Sequence, residues 1–171
     1  MRVKNIDELY EEAVTQCGSI LQRLAKGWEA DPDRRRDLLQ EIHIELWRSL
    51  RLFDGRCSLK TWAYRVAQNV AASYILRMRR SAARLVDLET LDHEAPDHKQ
   101  MFVDGESSAN QQYLVSRLLD MIHRLKPLDR QIMLLYLEGE PAASIAEVTG
   151  LSAANVATKI HRIKGVPNGK Q

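Results

Sequence analysis

The spacing of the apolar residues limits the possible folds of this chain more than any other feature. Between residues 6 and 28 they recur every three or four positions, which is the period of an amphipathic helix. The same period returns in residues 38–50 and 59–75, and again from residue 114 onward. Glycine (8) and proline (5) are scarce among the 171 residues, which disfavours a turn-rich β fold. The pattern therefore predicts an all-α protein.

Turn-forming and capping residues mark where the predicted helices end. Residues 31–33, Asp-Pro-Asp, end the first helix. Residues 53–57 have the composition of a turn, and Ser58 directly after them can cap a third helix. Pro127 suits the first turn of a later helix, where a missing N–H costs nothing.

The helical period fades between residues 85 and 112, and the composition becomes acidic. Pro96, Gly105 and two adjacent serines in this stretch are typical of a flexible linker. The sequence thus predicts two small helical domains joined by a flexible acidic linker. The first is an N-terminal helical bundle over residues 1–84, and the second is a C-terminal helix-turn-helix domain over residues 113–171.

The net charge of +2 is close to neutral, but the charges are unevenly distributed. Residues 55–84 carry seven basic side chains and no acidic one, whereas residues 87–106 carry seven acidic side chains and one basic one. Two blocks of opposite sign therefore cancel in the total. This asymmetry indicates a polyanion-binding face in the first block and an acidic connector in the second.

Residues 141–164, PAASIAEVTGLSAANVATKIHRIK, have the spacing of a helix-turn-helix. Ala146 is small enough for two helices to approach, Gly150 suits a left-handed turn, and Val156 fills the space between the helices. Ser152 is the expected N-cap of the second helix. A hairpin of two helices that only pack together is the alternative. The candidate contacts of the second helix with a major groove and its phosphates are Asn155, Ala157, Thr158, Lys159, His161 and Arg162.

Residues 58–80 combine basic and aromatic side chains on one predicted helix, a mixture suited to single-stranded nucleic acid. The amide of Asn69 can donate and accept hydrogen bonds at a base edge, although a structural asparagine would show the same pattern. Trp62 is either a stacking platform or, as its helical spacing favours, a core residue. The arginine run in residues 77–80 has no acidic residue nearby to balance it, which indicates phosphate contact. The candidate contacts of this region are Arg56, Lys60, Trp62, Arg65, Asn69, Arg77, Arg79 and Arg80.

The order of these features resembles the sigma-70 family of bacterial RNA polymerase initiation factors, and within it the compact extracytoplasmic-function group. The resemblance covers nearly the whole chain. Residues 37–50, DLLQEIHIELWRSL, look like the helix that docks on the clamp coiled coil of the largest polymerase subunit. Residues 53–56, FDGR, and 58–69, SLKTWAYRVAQN, resemble the segment that melts and reads the −10 element. Residues 125–164 resemble the −35 reader with its supporting helices.

The resemblance implies a role for each group of residues. Asn69 corresponds to a pocket residue for a base flipped out of the non-template strand, and Arg65 lies beside it. The usual −35 contact positions are Ala157, Thr158, His161 and Arg162. The implied polymerase-binding residues are Asp37, Gln40, Glu41, Glu45 and Trp47. The implied partners are core RNA polymerase, through its clamp helices and flap, promoter DNA, and an anti-sigma factor; no cofactor or metal is implied.

The remaining sequence features concern compartment and redox state. The N-terminus lacks the apolar segment of a secretory signal, and no window approaches the roughly 18 apolar residues of a membrane span. We therefore expect a cytoplasmic protein without membrane insertion. Cys17 and Cys57 stand alone, which supports neither a disulfide framework nor a zinc site. Cys17 is expected on a buried helix face.

Two other classes of function fit parts of the sequence. A free-standing helix-turn-helix regulator would bind duplex DNA as a dimer, but this class does not explain the docking pattern of residues 37–45. An enzyme is disfavoured because the five histidines are scattered, with no matching nucleophile or metal spacing. The sequence therefore predicts a transcription initiation factor without enzymatic activity, and the dimeric regulator is the alternative.

Overall fold

The computed structural model describes residues 4–86 and 109–165 of the chain. Within these two ranges every regular element is helical, which confirms the all-α prediction. The α-helices there are α1 (Ile6–Trp28), α2 (Pro32–Ser49), α3 (Leu59–Val86), α4 (Ala109–His123), α5 (Pro127–Leu137), α6 (Ala142–Thr149) and α7 (Ala153–Lys164). A short 3₁₀ turn, Leu50–Leu52, follows α2. No helix of the described ranges has both the length and the apolar content that crossing a membrane requires.

The first three helices form the N-terminal bundle, in which each helix packs against the other two. The bounds of α1 are those that the apolar period predicts. The Asp31 carboxylate accepts hydrogen bonds from the N–H groups of Asp33 (3.0 Å) and Arg34 (2.9 Å), so the residues that end α1 also begin α2. Cys17 is fully buried, as expected. The bundle core includes Ala13, Cys17, Leu21, Leu38, Ile42, Leu46, Ala63, Ala67 and Ala71.

The remaining helices form the C-terminal half around α5. Ile132 and Leu135 of α5 are fully buried, and α5 packs against α4, α6 and α7. Pro127 occupies the first turn of α5, as the sequence predicts. The short helices α6 and α7 cross next to each other and bury Ile145 and Val156 between themselves and α5.

The two halves are in direct contact. α1 packs against α4 and α5, while α3 packs against α6. The buried apolar side chains of both halves belong to one hydrophobic cluster. The apolar periods of the single helices do not predict this arrangement, because they say which face is buried and not which helix covers it.

The predicted linker over residues 85–112 differs from the structure at its two ends. α3 continues to Val86 and α4 begins at Ala109, so both ends are helical. The acidic stretch of residues 87–106 lies outside the described residues.

Candidate nucleic-acid interface

The turn before α3 determines where the basic helix begins. Gly55 adopts a left-handed conformation, with φ of +77°. The Asp54 carboxylate accepts a hydrogen bond from the Arg56 N–H (3.1 Å) and pairs with its guanidinium (3.0 Å). The Ser58 hydroxyl accepts a hydrogen bond from the Thr61 N–H (3.0 Å), which confirms the predicted N-cap. The start of α3 is therefore fixed, and with it the direction of each side chain that follows.

One face of α3 carries three of the candidate contacts. Trp62, Arg65 and Asn69 are spaced three and four residues apart, so they lie on the same side of the helix. Asn69 is exposed, and its amide is accessible to an unstacked base. The half-buried Trp62 ring packs edge-to-face against Phe53 (centroids 5.5 Å apart), and its N–H donates to the Ser49 hydroxyl (3.0 Å). Trp62 therefore packs as a core residue and not as a stacking platform for bases. Arg65 and Asn69 supply the polar groups of this face.

The C-terminal half already contacts two of the candidate DNA-binding cations. Lys60 lies on the side of α3 opposite Asn69, and its ammonium contacts the Glu140 carboxylate (2.5 Å). The guanidinium of Arg65 donates a hydrogen bond to the backbone carbonyl of Glu147 in α6 (2.7 Å). The structure thus does not bring Lys60 to the face of Asn69, and it holds both cations in contacts within the protein.

The arginine run in residues 77–80 of α3 is predicted to contact phosphates because no acidic residue is near it in the sequence. The structure agrees with that reason for only part of the run. Arg79 and Arg80 are exposed. Arg77 is also exposed, but it donates a hydrogen bond to the Glu41 carboxylate of α2 (2.6 Å). The inference that no acidic group balances this run is therefore wrong for Arg77, because the fold places α2 beside α3 although Glu41 is distant in sequence.

The candidate polymerase-binding residues lie on the solvent side of α2, away from its buried leucines. Glu41 is half-buried because it is paired with α3. Trp47 is 37% exposed, and its indole N–H donates to the Asp7 carboxylate (2.9 Å). Ile44, which the sequence analysis does not single out, is also exposed on this side of α2. The other exposed candidates are Asp37, Gln40 and Glu45.

α6 and α7 form the predicted helix-turn-helix. Gly150 has φ of +78°, and its N–H donates to the Ala146 carbonyl (2.9 Å), which ends α6. The Ser152 hydroxyl accepts a hydrogen bond from the Asn155 N–H (3.2 Å) and begins α7. Val156 is fully buried between the helices. The predicted turn glycine, N-cap and interhelical plug are therefore all confirmed.

The outer face of α7 carries most of the candidate groove contacts. Its exposed members are Asn155, Ala157, Thr158, His161 and Arg162. Lys159 differs, because its half-buried ammonium pairs with the Asp129 carboxylate of α5 (3.0 Å). Lys159 therefore ties α7 to α5 and is not displayed on the outer face.

Burial is the main cause of the pKa shifts near α3. Burial raises the pKa of the Cys17 thiol, and burial followed by the negative charge of Glu140 raises the pKa of the Tyr64 hydroxyl. Both groups are therefore neutral in the physiological pH range. No group of three His, Cys, Asp or Glu side chains in residues 4–86 and 109–165 is arranged to hold a metal ion.

Sequence reasoning misses four residues that make important contacts, namely Gln68, Arg130, Glu138 and Glu140. Gln68 and Arg130 are polar side chains with only 1% and 3% exposure. The helical period of their neighbours was the only available sign of that burial. The two glutamates contact basic residues far away in the chain, and a single sequence contains no signal for such pairs.

Known proteins match both halves of the chain. A family model described as Sigma-70 region 2 matches residues 13–81, and one described as Sigma-70, region 4 matches residues 116–165. An ECF RNA polymerase sigma-E factor of Haemophilus influenzae is 30% identical over 138 residues, which cover 78% of this chain and 72% of the relative. The ECF RNA polymerase sigma factor SigX of Bacillus subtilis is 26% identical over 133 residues, covering 77% and 68%. The solved sigma factor RpoE of Bartonella quintana, in complex with the anti-sigma factor NepR, has the same fold: the TM-score is 0.67 at 16% identity, with 91% of each chain covered.

Proposed function

This chain belongs to the extracytoplasmic-function (ECF) group of the sigma-70 family, and we propose that it acts as a bacterial transcription initiation factor. In this role it binds core RNA polymerase and directs the enzyme to promoters that have a −35 and a −10 element. It contributes binding and strand separation, with no covalent chemistry of its own. The observation that carries the proposal is the order of two sigma-70 modules in one chain, matched by a basic helix with an exposed amide and then a helix-turn-helix.

The exposed face of α3 is proposed to capture an unstacked base of the −10 element. The Asn69 amide can bond a base edge, and the Arg65 guanidinium lies on the same face. Extruding a base costs a few kcal/mol, which contacts with phosphates must offset. Arg79 and Arg80, exposed further along the helix, are suited to those phosphate contacts.

The outer face of α7 is proposed to lie in the major groove of the −35 element. Asn155 and Thr158 can bond base edges, and the methyl group of Ala157 suits contact with thymine. Arg162, one turn further along, can bond a phosphate or a guanine. In this proposal Lys159 orients α7 through its ion pair with Asp129.

The solvent side of α2 is proposed to bind the clamp helices of core polymerase. Acidic and amide side chains there surround the exposed Ile44, which gives the surface an apolar centre. The structure of the Bartonella relative includes an anti-sigma factor, and we propose a partner of that class for this chain as well. The site of action is the cytoplasm, where core polymerase and the chromosome lie.

Size-exclusion chromatography of the full chain, alone and with bacterial core RNA polymerase, tests the proposal. We expect a monomer that co-elutes with the polymerase. The double variant Asp37→Lys/Glu45→Lys reverses two charges on the α2 surface and should abolish co-elution. Glu11→Lys makes the same change on an exposed position of α1 and should leave co-elution intact. A stable dimer that ignores the polymerase contradicts the proposal and favours the dimeric helix-turn-helix regulator.

A further inference from the structure

The solvent side of α2, which the proposed function assigns to core polymerase, has two edges, and we call it the docking surface. Glu41, Ile44 and Trp47 are spaced three residues apart along α2. Because an α-helix has about 3.6 residues per turn, each such step turns the side chain by about 60° around the axis. Glu41 and Trp47 therefore lie at opposite edges of the docking surface, with the exposed Ile44 between them. α2 packs against both α1 and α3, so each edge has a neighbouring helix.

Arg77 of α3 holds the first edge. Its guanidinium donates a hydrogen bond to the Glu41 carboxylate (2.6 Å) and lies 5.8 Å from the centre of the Tyr74 ring. The Tyr74 hydroxyl in turn donates to the carbonyl of Arg34, near the start of α2 (3.3 Å). The Glu41 side chain is still 42% exposed. It is therefore oriented by α3 and remains accessible to a partner.

Asp7 of α1 holds the second edge. Its carboxylate accepts a hydrogen bond from the Trp47 indole N–H (2.9 Å). The Arg51 guanidinium lies 5.3 Å from the centre of the same indole ring. Trp47 is thus held in one orientation at the surface, where part of its ring remains exposed. A helix other than α2 orients a side chain at each edge of the docking surface.

Arg77 does not share the line of α3 that the proposed function assigns to DNA. Asn69 and Arg80 are eleven residues apart, which is about three full turns, so they lie on one line along the helix. Arg77 precedes Arg80 by three residues and is therefore turned about 60° away from it. The hydrogen bond to Glu41 shows that this turn is towards α2. Its guanidinium is therefore engaged at the docking surface.

We propose that Arg77 and Asp7 are positioning residues of the polymerase interface, which hold Glu41 and Trp47 in the orientation that core polymerase binds. The inference rests on the proposed function of the docking surface. Binding must order flexible side chains, and ordering a long side chain in advance lowers that cost. An exposed ion pair contributes little to the stability of the free protein, so the main effect of Arg77 is on binding.

The variant Arg77→Gln tests the inference in the full chain. Protein labelled at its N-terminus is titrated with bacterial core RNA polymerase in the absence of DNA, and fluorescence anisotropy gives the dissociation constant. We expect the affinity to fall about fivefold, because one long side chain must now be ordered on binding. Arg77→Lys keeps a cation near Glu41 and should restore most of the affinity. Arg84→Gln, which removes another exposed arginine of α3, should bind like the wild type.

The variant Glu41→Gln shows whether Arg77 acts through Glu41. If it does, Arg77→Gln/Glu41→Gln binds polymerase no more weakly than Glu41→Gln alone. Additive losses overturn the inference, and so does wild-type affinity in Arg77→Gln. Tighter binding by Arg77→Gln also overturns it, because Arg77 would then compete with the polymerase for Glu41.

DNA binding distinguishes this role from a contact with phosphates. The affinity of the full chain for a random-sequence single-stranded DNA oligonucleotide is measured at several salt concentrations. Losing one phosphate contact reduces the slope of log K against log salt concentration by about 0.7. We expect this reduction in Arg80→Gln and the wild-type slope in Arg77→Gln. The same reduction in Arg77→Gln overturns the inference and favours a contact of Arg77 with DNA.

Two controls separate this inference from folding defects and from the proposed function. Circular dichroism should give Arg77→Gln the thermal midpoint of the wild type, and a lower midpoint with unchanged polymerase affinity overturns the inference. If Arg77→Gln does not fold, Asp7→Ala, which frees Trp47, replaces it, with a similar loss of affinity expected and an unchanged affinity overturning the inference. If the wild-type chain does not bind core polymerase, the proposed function fails and the inference fails with it. A wild type that binds no more tightly than the variant contradicts the positioning role alone.

Discussion

Asn69 is the single residue on which −10 selectivity depends most in the proposed function. Its amide is exposed on the side of α3 that also carries Arg65, and Trp62 of the same side is held by the core. An amide that bonds a base edge through two hydrogen bonds discriminates between bases by about 1–3 kcal/mol. No other exposed amide on the described part of α3 has this position.

The variant Asn69→Ala should therefore lose sequence preference at the −10 element without losing polymerase binding. On templates that differ at single −10 positions, we expect the ratio of run-off transcripts to fall by about tenfold, as about 1–3 kcal/mol of discrimination is removed. Gln22→Ala, which removes an exposed amide from α1, is the control. An unchanged −10 preference in Asn69→Ala would show that the base pocket lies elsewhere.

Arg130 has a structural role that its charge does not suggest. Its described partners are backbone carbonyls and the Trp28 ring, so truncation leaves buried carbonyls without a donor. We expect Arg130→Ala to lower the free energy of unfolding by about 2–3 kcal/mol, measured by urea denaturation. Arg124→Ala, on an exposed position just before α5, should change it by less than about 0.5 kcal/mol. Equal losses in the two variants would contradict this role.

At the scale of elements, two variants of Ser152, the N-cap of α7, distinguish the stability of this helix from its binding to DNA. Ser152→Ala removes the hydroxyl that caps the helix, which should cost about 1 kcal/mol in thermal or urea unfolding. Ser152→Asp keeps a capping acceptor and should retain most of that stability, while its negative charge weakens binding to duplex DNA. If Ser152→Asp were as unstable as Ser152→Ala, the cap would not be the reason for the loss.

The elements that the sequence predicts well are those with local signals. The bounds of α1, the cap at Ser58, the left-handed Gly150 and the buried Val156 all follow from spacing and residue type within one or two turns of chain. The sequence does not predict the helical ends of the linker, because residues 85–86 and 109–112 do not continue an apolar period of three to four residues.

At the scale of the whole molecule, the contacts between helices have no local signal in the sequence, whether they lie within the N-terminal bundle or join the two halves. The salt bridge between Arg77 and Glu41 and the contact between Lys60 and Glu140 join residues that are distant in sequence, and their types are common on any solvated helix. The sequence therefore predicts the candidate site residues from the chemistry of each residue type and from local spacing. Some of its basic side chains pair with acidic side chains of the same protein. These pairs depend on how the helices pack, which a single sequence does not show.

The pH dependence of stability follows from two half-buried histidines. Burial lowers the pKa of His43, and it also lowers the pKa of His123, where the nearby Arg130 adds to the effect. The folded state thus binds these protons less readily than the unfolded state, so stability is full above the unfolded pKa of about 6.5 and falls as the pH drops below it.

We therefore expect a lower midpoint of thermal unfolding at about pH 5.5 than at about pH 7.5, measured by circular dichroism. The double variant His43→Gln/His123→Gln should have a lower midpoint than the wild type at both pH values. The difference between its two midpoints should be smaller than in the wild type. A midpoint that is equal or higher at the lower pH in the wild type would contradict the role of these two groups.

Run-off transcription on a library of genomic fragments tests most directly whether this chain is a transcription initiation factor. Bacterial core RNA polymerase is incubated with the library in the presence and absence of the full chain, and the 5′ ends of the transcripts are sequenced. We expect a set of transcripts that requires the chain and whose start sites share a −35 and a −10 element. If the chain adds no transcripts to those of core polymerase alone, the proposed function is contradicted.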